Sequence, residues 1–118
     1  MIEEYHYKPT TLAKLRRAVR YGQNQLNLRD WQVELLVGGQ PIGTAAQTDK
    51  GAVVYDDNTL RAKIWLNIEA CRKEDFSALD VLFHELAHIA VGSRDDEFIS
   101  NQMSNLLMRL YCPSIKPK

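Results

Sequence analysis

The chain has 118 residues, with 15 basic and 15 acidic side chains, so its formal net charge is zero. This length predicts a single domain over residues 1–118, with an ordered core from about residue 9 to residue 111. A balanced charge produces no long-range field that would attract nucleic acid or an anionic membrane. Neither is therefore an expected partner.

The ends of the chain and its cysteines indicate a cytoplasmic protein. The N-terminal sequence MIEEYHYKPTT is acidic and polar, without the basic start and apolar core of a secretory signal. No apolar run approaches the length of a membrane span. Cys71 and Cys112 lie far apart and belong to no CxxC pair, which favours two reduced thiols.

The first half of the chain predicts one helix followed by a small sheet. Apolar residues recur at helical spacing from about Thr11 to Gln25. The period then changes to two in LRDWQVELLVGG, which predicts a half-buried strand ended by two glycines. KGAVVYDDNTLRAKIWLN predicts two further strands in a hairpin around the polar turn Asp56 to Thr59. The intervening QPIGTAAQTD is a candidate for a short fourth strand.

The second half predicts two helices. The first begins at Ser77, with Ser77 and Asp80 spaced as in a capping box, and Gly92 is placed to end it. Apolar residues cover more than half of its circumference, so it should be mostly buried. The last helix runs from about Asp95 to Leu110, and its apolar stripe consists of Ile99, Met103, Leu106 and Leu110. This order of elements predicts an α+β domain whose sheet is covered on one face by helices.

The sequence HELAH, at His84 to His88, predicts a metal site on the first of these helices. Positions four residues apart lie one above the other on a helix, so His84 and His88 can direct two imidazoles at one ion. Neutral imidazole suits zinc, which lowers the pKa of a bound water to roughly 7. Glu85 lies beside this pair, where its carboxylate can accept the proton of that water. Two histidines packed among apolar neighbours without an ion are the simpler alternative, but their burial would be costly.

The third ligand is expected among the acids that follow Gly92. A catalytic zinc usually takes three protein ligands, and Asp95, Asp96 and Glu97 are the nearest candidates. Glu97 shares a mostly small and polar helix face with Ser100, Asn101, Ser104 and Met108, and small residues allow two helices to approach closely. Asn101, one turn after Glu97, is a candidate to support a ligand from outside the coordination sphere. The pattern alone leaves all three acids open.

HELAH followed by EFISNQMSNLLM resembles the zincin metallopeptidases whose third ligand is a glutamate, the gluzincin arrangement. It is similar in particular to the ImmA/IrrE type and to small phage and prophage metallopeptidase-like domains, over about Leu12 to Leu110. Glu97, Ser100, Asn101 and Ser104 match the second motif of that type, and methionine replaces its usual aromatic at position 103.

The resemblance implies a minimal zincin-like domain in which the C-terminal helix carries the third ligand. Zinc would be bound by His84, His88 and Glu97, with Glu85 as general base and acid. The implied function is hydrolysis of a peptide bond in a protein or peptide substrate. The alternative is a non-catalytic or latent zincin-fold protein of a phage or mobile element that binds a host factor, in a regulatory or counter-defence role.

Two further features of a peptidase remain open in the sequence. Arg94, Tyr55 and Tyr111 are candidates to stabilise the developing oxyanion, but each is more simply a structural or exposed residue. An extended substrate commonly pairs with an edge strand in zincins, and the arm Leu60 to Asn67 is the candidate strand. Trp65 in that arm can equally pack under a loop.

Overall fold

A computed structural model describes residues 11–92 and 97–111, which form an α+β arrangement of four helices and a three-stranded mixed sheet. The elements in chain order are α1 (Leu12–Gln25), β1 (Gln32–Val37), β2 (Gly51–Asp56), β3 (Arg61–Leu66), α2 (Ile68–Lys73), α3 (Ala78–Val91) and α4 (Glu97–Tyr111). No helix among these residues is both long enough and apolar enough to cross a membrane.

The sheet has the strand order β1-β3-β2. β1 runs parallel to β3, and β2 runs antiparallel to it, so the predicted hairpin of β2 and β3 is confirmed. Ala62, Ile64 and Leu66 of β3 are buried in one core with apolar residues of α1 and α3. The opposite face carries the exposed side chains of Arg61 and Lys63. Helices therefore cover one face of the sheet, as the sequence predicts.

The segment between β1 and β2 forms turns, so the prediction of a fourth strand there was wrong. Gly38, Gly39 and Gly43 have φ angles of 78°, 71° and 61°, which lie outside the extended region. Further along, the Asp49 carboxylate accepts a hydrogen bond from the amide of Ala46, at 2.8 Å. Both features bend the backbone away from the geometry that strand pairing requires.

The short helix α2 was not predicted. Asn67 caps it by accepting a hydrogen bond from the amide of Ala70, at 3.1 Å. Its thiol-bearing residue, Cys71, is free and buried, and burial raises the pKa of that thiol. Cys112 lies outside the described residues. α2 has only six residues, too few to show the apolar periodicity on which helix prediction depends.

α3 is the most deeply buried helix of the described residues. Ser77 caps it by accepting from the amide of Leu79, and Gly92 ends it at a φ of 72°, so both predicted boundaries are confirmed. Ten of its fourteen residues are buried. On the side of α1, an added Cβ on Gly22 would lie 2.5 Å from Leu86 Cδ1. The glycine therefore allows α1 to pack closely against α3.

α4 packs on α3 through the small face that carries Ser100 and Ser104, as its small residues predict, and not through the predicted apolar stripe. Its buried residues are Ser100, Ser104, Leu107 and Met108. Three members of the predicted apolar stripe are instead exposed, with 46% of Ile99, 55% of Leu106 and 49% of Leu110 accessible to solvent. An apolar stripe ordinarily faces the core. Here the two serines face it because their small side chains allow close approach and form hydrogen bonds to α3. The predicted start at Asp95 lies outside the described residues.

Candidate metal centre

α3 presents the two histidines and the glutamate of HELAH at the surface where α4 crosses it. His84 and His88 lie one turn apart, and their Nε2 atoms are 3.0 Å from each other. The rings are nearly perpendicular, with centroids 4.5 Å apart. Both Nε2 atoms therefore point to one place, as helical spacing predicts. Glu85 is 8% exposed and lines the same cleft as His84.

α4 brings a carboxylate to this pair of nitrogens. Glu97 Oε1 lies 3.1 Å from His84 Nε2, and Glu97 Oε2 lies 3.1 Å from His88 Nε2. The three ligand atoms all lie within 4.8 Å of one another, an arrangement that can hold a metal ion. The Glu97 side chain is 70% exposed, so the carboxylate forms the outer side of the group. Asp95 and Asp96, the other candidates, lie outside the described residues.

The spacing and chemistry of these atoms fit a divalent metal. With zinc–nitrogen and zinc–oxygen bonds of about 2.0–2.1 Å, tetrahedral ligands would lie roughly 3.3 Å from one another. The two Nε2 atoms are 3.0 Å apart, and each lies 3.1 Å from a different oxygen of the Glu97 carboxylate, so each of these pairs is close to that value. Two imidazoles and one carboxylate also form a donor set that leaves a fourth position open for water or substrate. The same donor set also suits other divalent metals.

Two serines of α4 contact α3, the helix that carries His84 and His88. Ser100 Oγ lies 3.3 Å from His88 Nδ1, and Ser100 is fully buried. Ser104 Oγ donates to Asp80 Oδ1 at 3.2 Å. Burial raises the pKa of the Asp80 carboxyl, whereas the Ser104 hydrogen bond and nearby His84 act in the opposite direction.

The predicted support from Asn101 is not observed. Asn101 is exposed and lines the cleft, and its backbone carbonyl accepts a hydrogen bond from Ser104. The contact to a histidine ring comes from its neighbour Ser100. About 100° of helix rotation separates adjacent residues, and this rotation directs Ser100, rather than Asn101, at α3.

Beside His84, Glu85 and Glu97 lies an open cleft of about 520 Å³. Its other walls include Lys50, Gly51, Phe76, Asp80, Asn101 and Asn105. Sequence reasoning missed Lys50 and Phe76, which reach the cleft from segments remote from HELAH. Lys50 Nζ lies 2.9 Å from Glu74 Oε1 and 5.2 Å from the centre of the Phe76 ring. These contacts place the lysine at one wall.

The tyrosines considered for the oxyanion do not line this cleft. Tyr55 packs edge-on against Trp31, with ring centroids 6.1 Å apart. Tyr111 lies against Tyr21 and Phe83, at 4.7 and 5.7 Å. Both tyrosines therefore pack against other aromatic rings, which agrees with the simpler prediction that they are structural residues. Arg94 lies outside the described residues.

The strand expected to receive an extended substrate is the central one. Because β3 pairs with β1 on one side and β2 on the other, its backbone has no unpaired edge, and that expectation was wrong. β2 is the edge strand on the side of the cleft, which Gly51 lines. Trp65 is 1% exposed and donates its indole N–H to the carbonyl of Gly38, at 2.8 Å, so it packs under the loop after β1.

Comparisons with family models, with curated proteins and with solved structures gave no match to this chain.

Proposed function

We propose that this chain is a minimal zinc metallopeptidase of the zincin type, with the gluzincin ligand set and a likeness to the ImmA/IrrE and phage or prophage domains. One observation carries the proposal. The ligand atoms of His84, His88 and Glu97 converge within 4.8 Å of one another, and Glu85 lines the cleft that opens beside them. Metal-assisted hydrolysis requires ligands for the metal and a nearby base. The ligands would be His84, His88 and Glu97, and the base would be the Glu85 carboxylate.

Each of these residues has a distinct role in the proposed reaction. His84, His88 and Glu97 would hold the zinc, which supplies Lewis-acid activation of water and of the scissile carbonyl. Glu85 accepts a proton from the attacking water and passes it to the leaving amine. Its burial limits competing solvent around the carboxylate, and its place next to His84 keeps it within the cleft.

The substrate is proposed to be an extended segment of a protein or peptide. An extended peptide can add to the unpaired edge of a sheet through main-chain hydrogen bonds. β2 is an outer strand of the three-stranded sheet, and its first residue, Gly51, lines the cleft. A peptide on β2 would therefore pass beside Glu85.

The second candidate function is binding of a host protein without turnover, as a regulatory or counter-defence protein of a phage or mobile element. Residues 11–92 and 97–111 form no second lobe over the cleft. Many peptidases use such a lobe to enclose and orient the substrate. The open cleft therefore favours this candidate, and the two functions differ in what they require of Glu85.

The variant Glu85→Gln separates the two functions. It retains the size of the side chain but removes the base, so hydrolysis should fall by about 10²- to 10⁴-fold. Bound zinc should be unchanged because Glu85 is not a proposed ligand. The measurement is mass spectrometry of a mixed peptide pool incubated with zinc-loaded protein, alongside metal analysis of the same sample.

Glu34→Gln is the matched control, since Glu34 is an exposed glutamate on β1. It should cleave peptides as the wild type does. Cleavage that survives in Glu85→Gln would refute the role of Glu85 as base. A zinc-loaded wild type that cleaves no peptide or protein would favour the binding function.

A further inference from the structure

We propose that Ser100 is a positioning residue, which holds the His88 imidazole in the tautomer and orientation that metal binding requires. This inference rests on the metal site of the proposed function and is independent of peptide hydrolysis. It assigns to α4 a second contribution besides Glu97. One turn of one helix would then supply a ligand and also orient a ligand of the neighbouring helix.

The two ring nitrogens of His88 face different partners. Nε2 lies 3.0 Å from His84 Nε2 and 3.1 Å from Glu97 Oε2, inside the candidate metal centre. Nδ1 lies 3.3 Å from Ser100 Oγ, on the other side of the ring. A neutral imidazole carries one ring proton, so an Nε2 that binds metal leaves that proton on Nδ1. Nδ1 then donates it to the Ser100 hydroxyl.

Burial makes this contact hard to replace. Ser100 is 0% exposed and His88 is 7% exposed, so bulk water has little access to Nδ1. Loss of the hydroxyl would remove this buried contact to Nδ1 and weaken the constraint on the orientation of the ring. Partners of this kind on metal-bound histidines fix the tautomer, and their loss typically lowers metal affinity 10- to 100-fold.

Ser104 provides a matched control on the same helix. It is 3% exposed and lies about one turn after Ser100. Its hydroxyl contacts Asp80 and the carbonyl of Asn101, neither of which is a proposed ligand. Ser100→Ala and Ser104→Ala therefore each remove one buried hydroxyl between α3 and α4. Only the first removes a contact to a metal ligand.

The experiment measures zinc affinity of the full chain by competition with a chromogenic chelator, with unfolding of the metal-free variants in urea as a check on folding. Ser100→Ala should bind zinc about 10- to 100-fold more weakly than the wild type. Ser104→Ala should retain wild-type affinity, although both variants should be less stable. Wild-type affinity in Ser100→Ala would refute the positioning role, and an equal loss in both variants would replace it with a general role in helix packing.

A measurement on the unsubstituted protein covers the case in which Ser100→Ala does not fold. Long-range ¹H–¹⁵N NMR of the zinc-loaded wild type should show His88 protonated at Nδ1 and metal-bound at Nε2. The opposite assignment would overturn the proposal while leaving the metal site intact. A wild type with no affinity for zinc would instead overturn the metal site, and this role with it.

Discussion

Glu97 is the residue on which the candidate centre most depends, because it is the candidate ligand that α4, rather than α3, supplies. His84 and His88 are held by a buried, capped helix, and their mutual position follows from helical geometry. Glu97 is 70% exposed and reaches them only through the packing of α4. Its carboxylate nevertheless spans both nitrogens at 3.1 Å, so it closes the ligand set.

Removal of the Glu97 carboxylate should weaken metal binding more than removal of the Ser100 hydroxyl, which contacts only a ligand. Glu97→Ala is expected to lower zinc affinity beyond the roughly 10- to 100-fold effect of losing a supporting hydrogen bond. Asp96→Ala should bind zinc as the wild type does. Chelator competition measures both. Full affinity in Glu97→Ala together with loss in Asp96→Ala would transfer the third-ligand role to Asp96.

The sequence predicts the residues of HELAH better than it predicts the contact that α4 makes to His88, and the reason is geometric. The relation of His84, Glu85 and His88 is local to one helix, so spacing alone predicts it. The support for His88 is not local, because it depends on how α4 is rotated against α3. A choice between Ser100 and Asn101 needs that rotation, and Asn101 was the predicted candidate because it lies one turn after Glu97.

At the scale of elements, the same rotation explains the exposed apolar residues of α4. Hydrophobic periodicity predicts that Leu106 and Leu110 face the core, yet about half of each is exposed. Ser100 and Ser104 occupy the contact with α3, where each forms a hydrogen bond. Periodicity measures only transfer of apolar area, so it misses a buried face that two serines share with Leu107 and Met108.

Strand order is a second property that the sequence left undetermined. The turn at Asp56 to Thr59 predicts that β2 and β3 pair, and they do. The edge on which β1 joins depends on the crossover between β1 and β3, which no local signal reports. β1 lies parallel to β3, and this placement makes β3 central and leaves β2 as the edge strand beside the cleft.

The close approach of α1 to α3 makes a prediction about Gly22. Alanine is a better helix former than glycine by about 0.5–1 kcal/mol. At this position its Cβ would lie 2.5 Å from Cδ1 of the fully buried Leu86, and overpacking of a core typically costs about 1–3 kcal/mol. The steric term should dominate, so Gly22→Ala should lower the free energy of unfolding.

Urea unfolding tests this balance, with Arg17→Ala as the control on the exposed face of the same helix. The control should change stability by less than about 0.5 kcal/mol. A Gly22→Ala variant more stable than the wild type would show that α1 can move away from α3 without cost.

At the scale of the whole molecule, the candidate centre joins two helices that the rest of the fold holds differently. α3 is buried in the core with β3 and α1, whereas α4 leaves most of one side in solvent. An ion bound by residues of both helices would stabilise their packing, because a ligand that binds only the folded state adds its binding free energy to folding. Packing in the core thus positions α3, whereas a bound metal ion would help to hold α4 against α3.

Elemental analysis tests whether this chain binds a metal through His84, His88 and Glu97. Protein purified without added metal should contain zinc at about one ion per chain, because His84, His88 and Glu97 form one site in each chain. The double variant His84→Ala/His88→Ala should contain almost none. A wild type that carries no divalent metal and takes up none from added zinc would contradict the claim, as would equal metal content in the double variant.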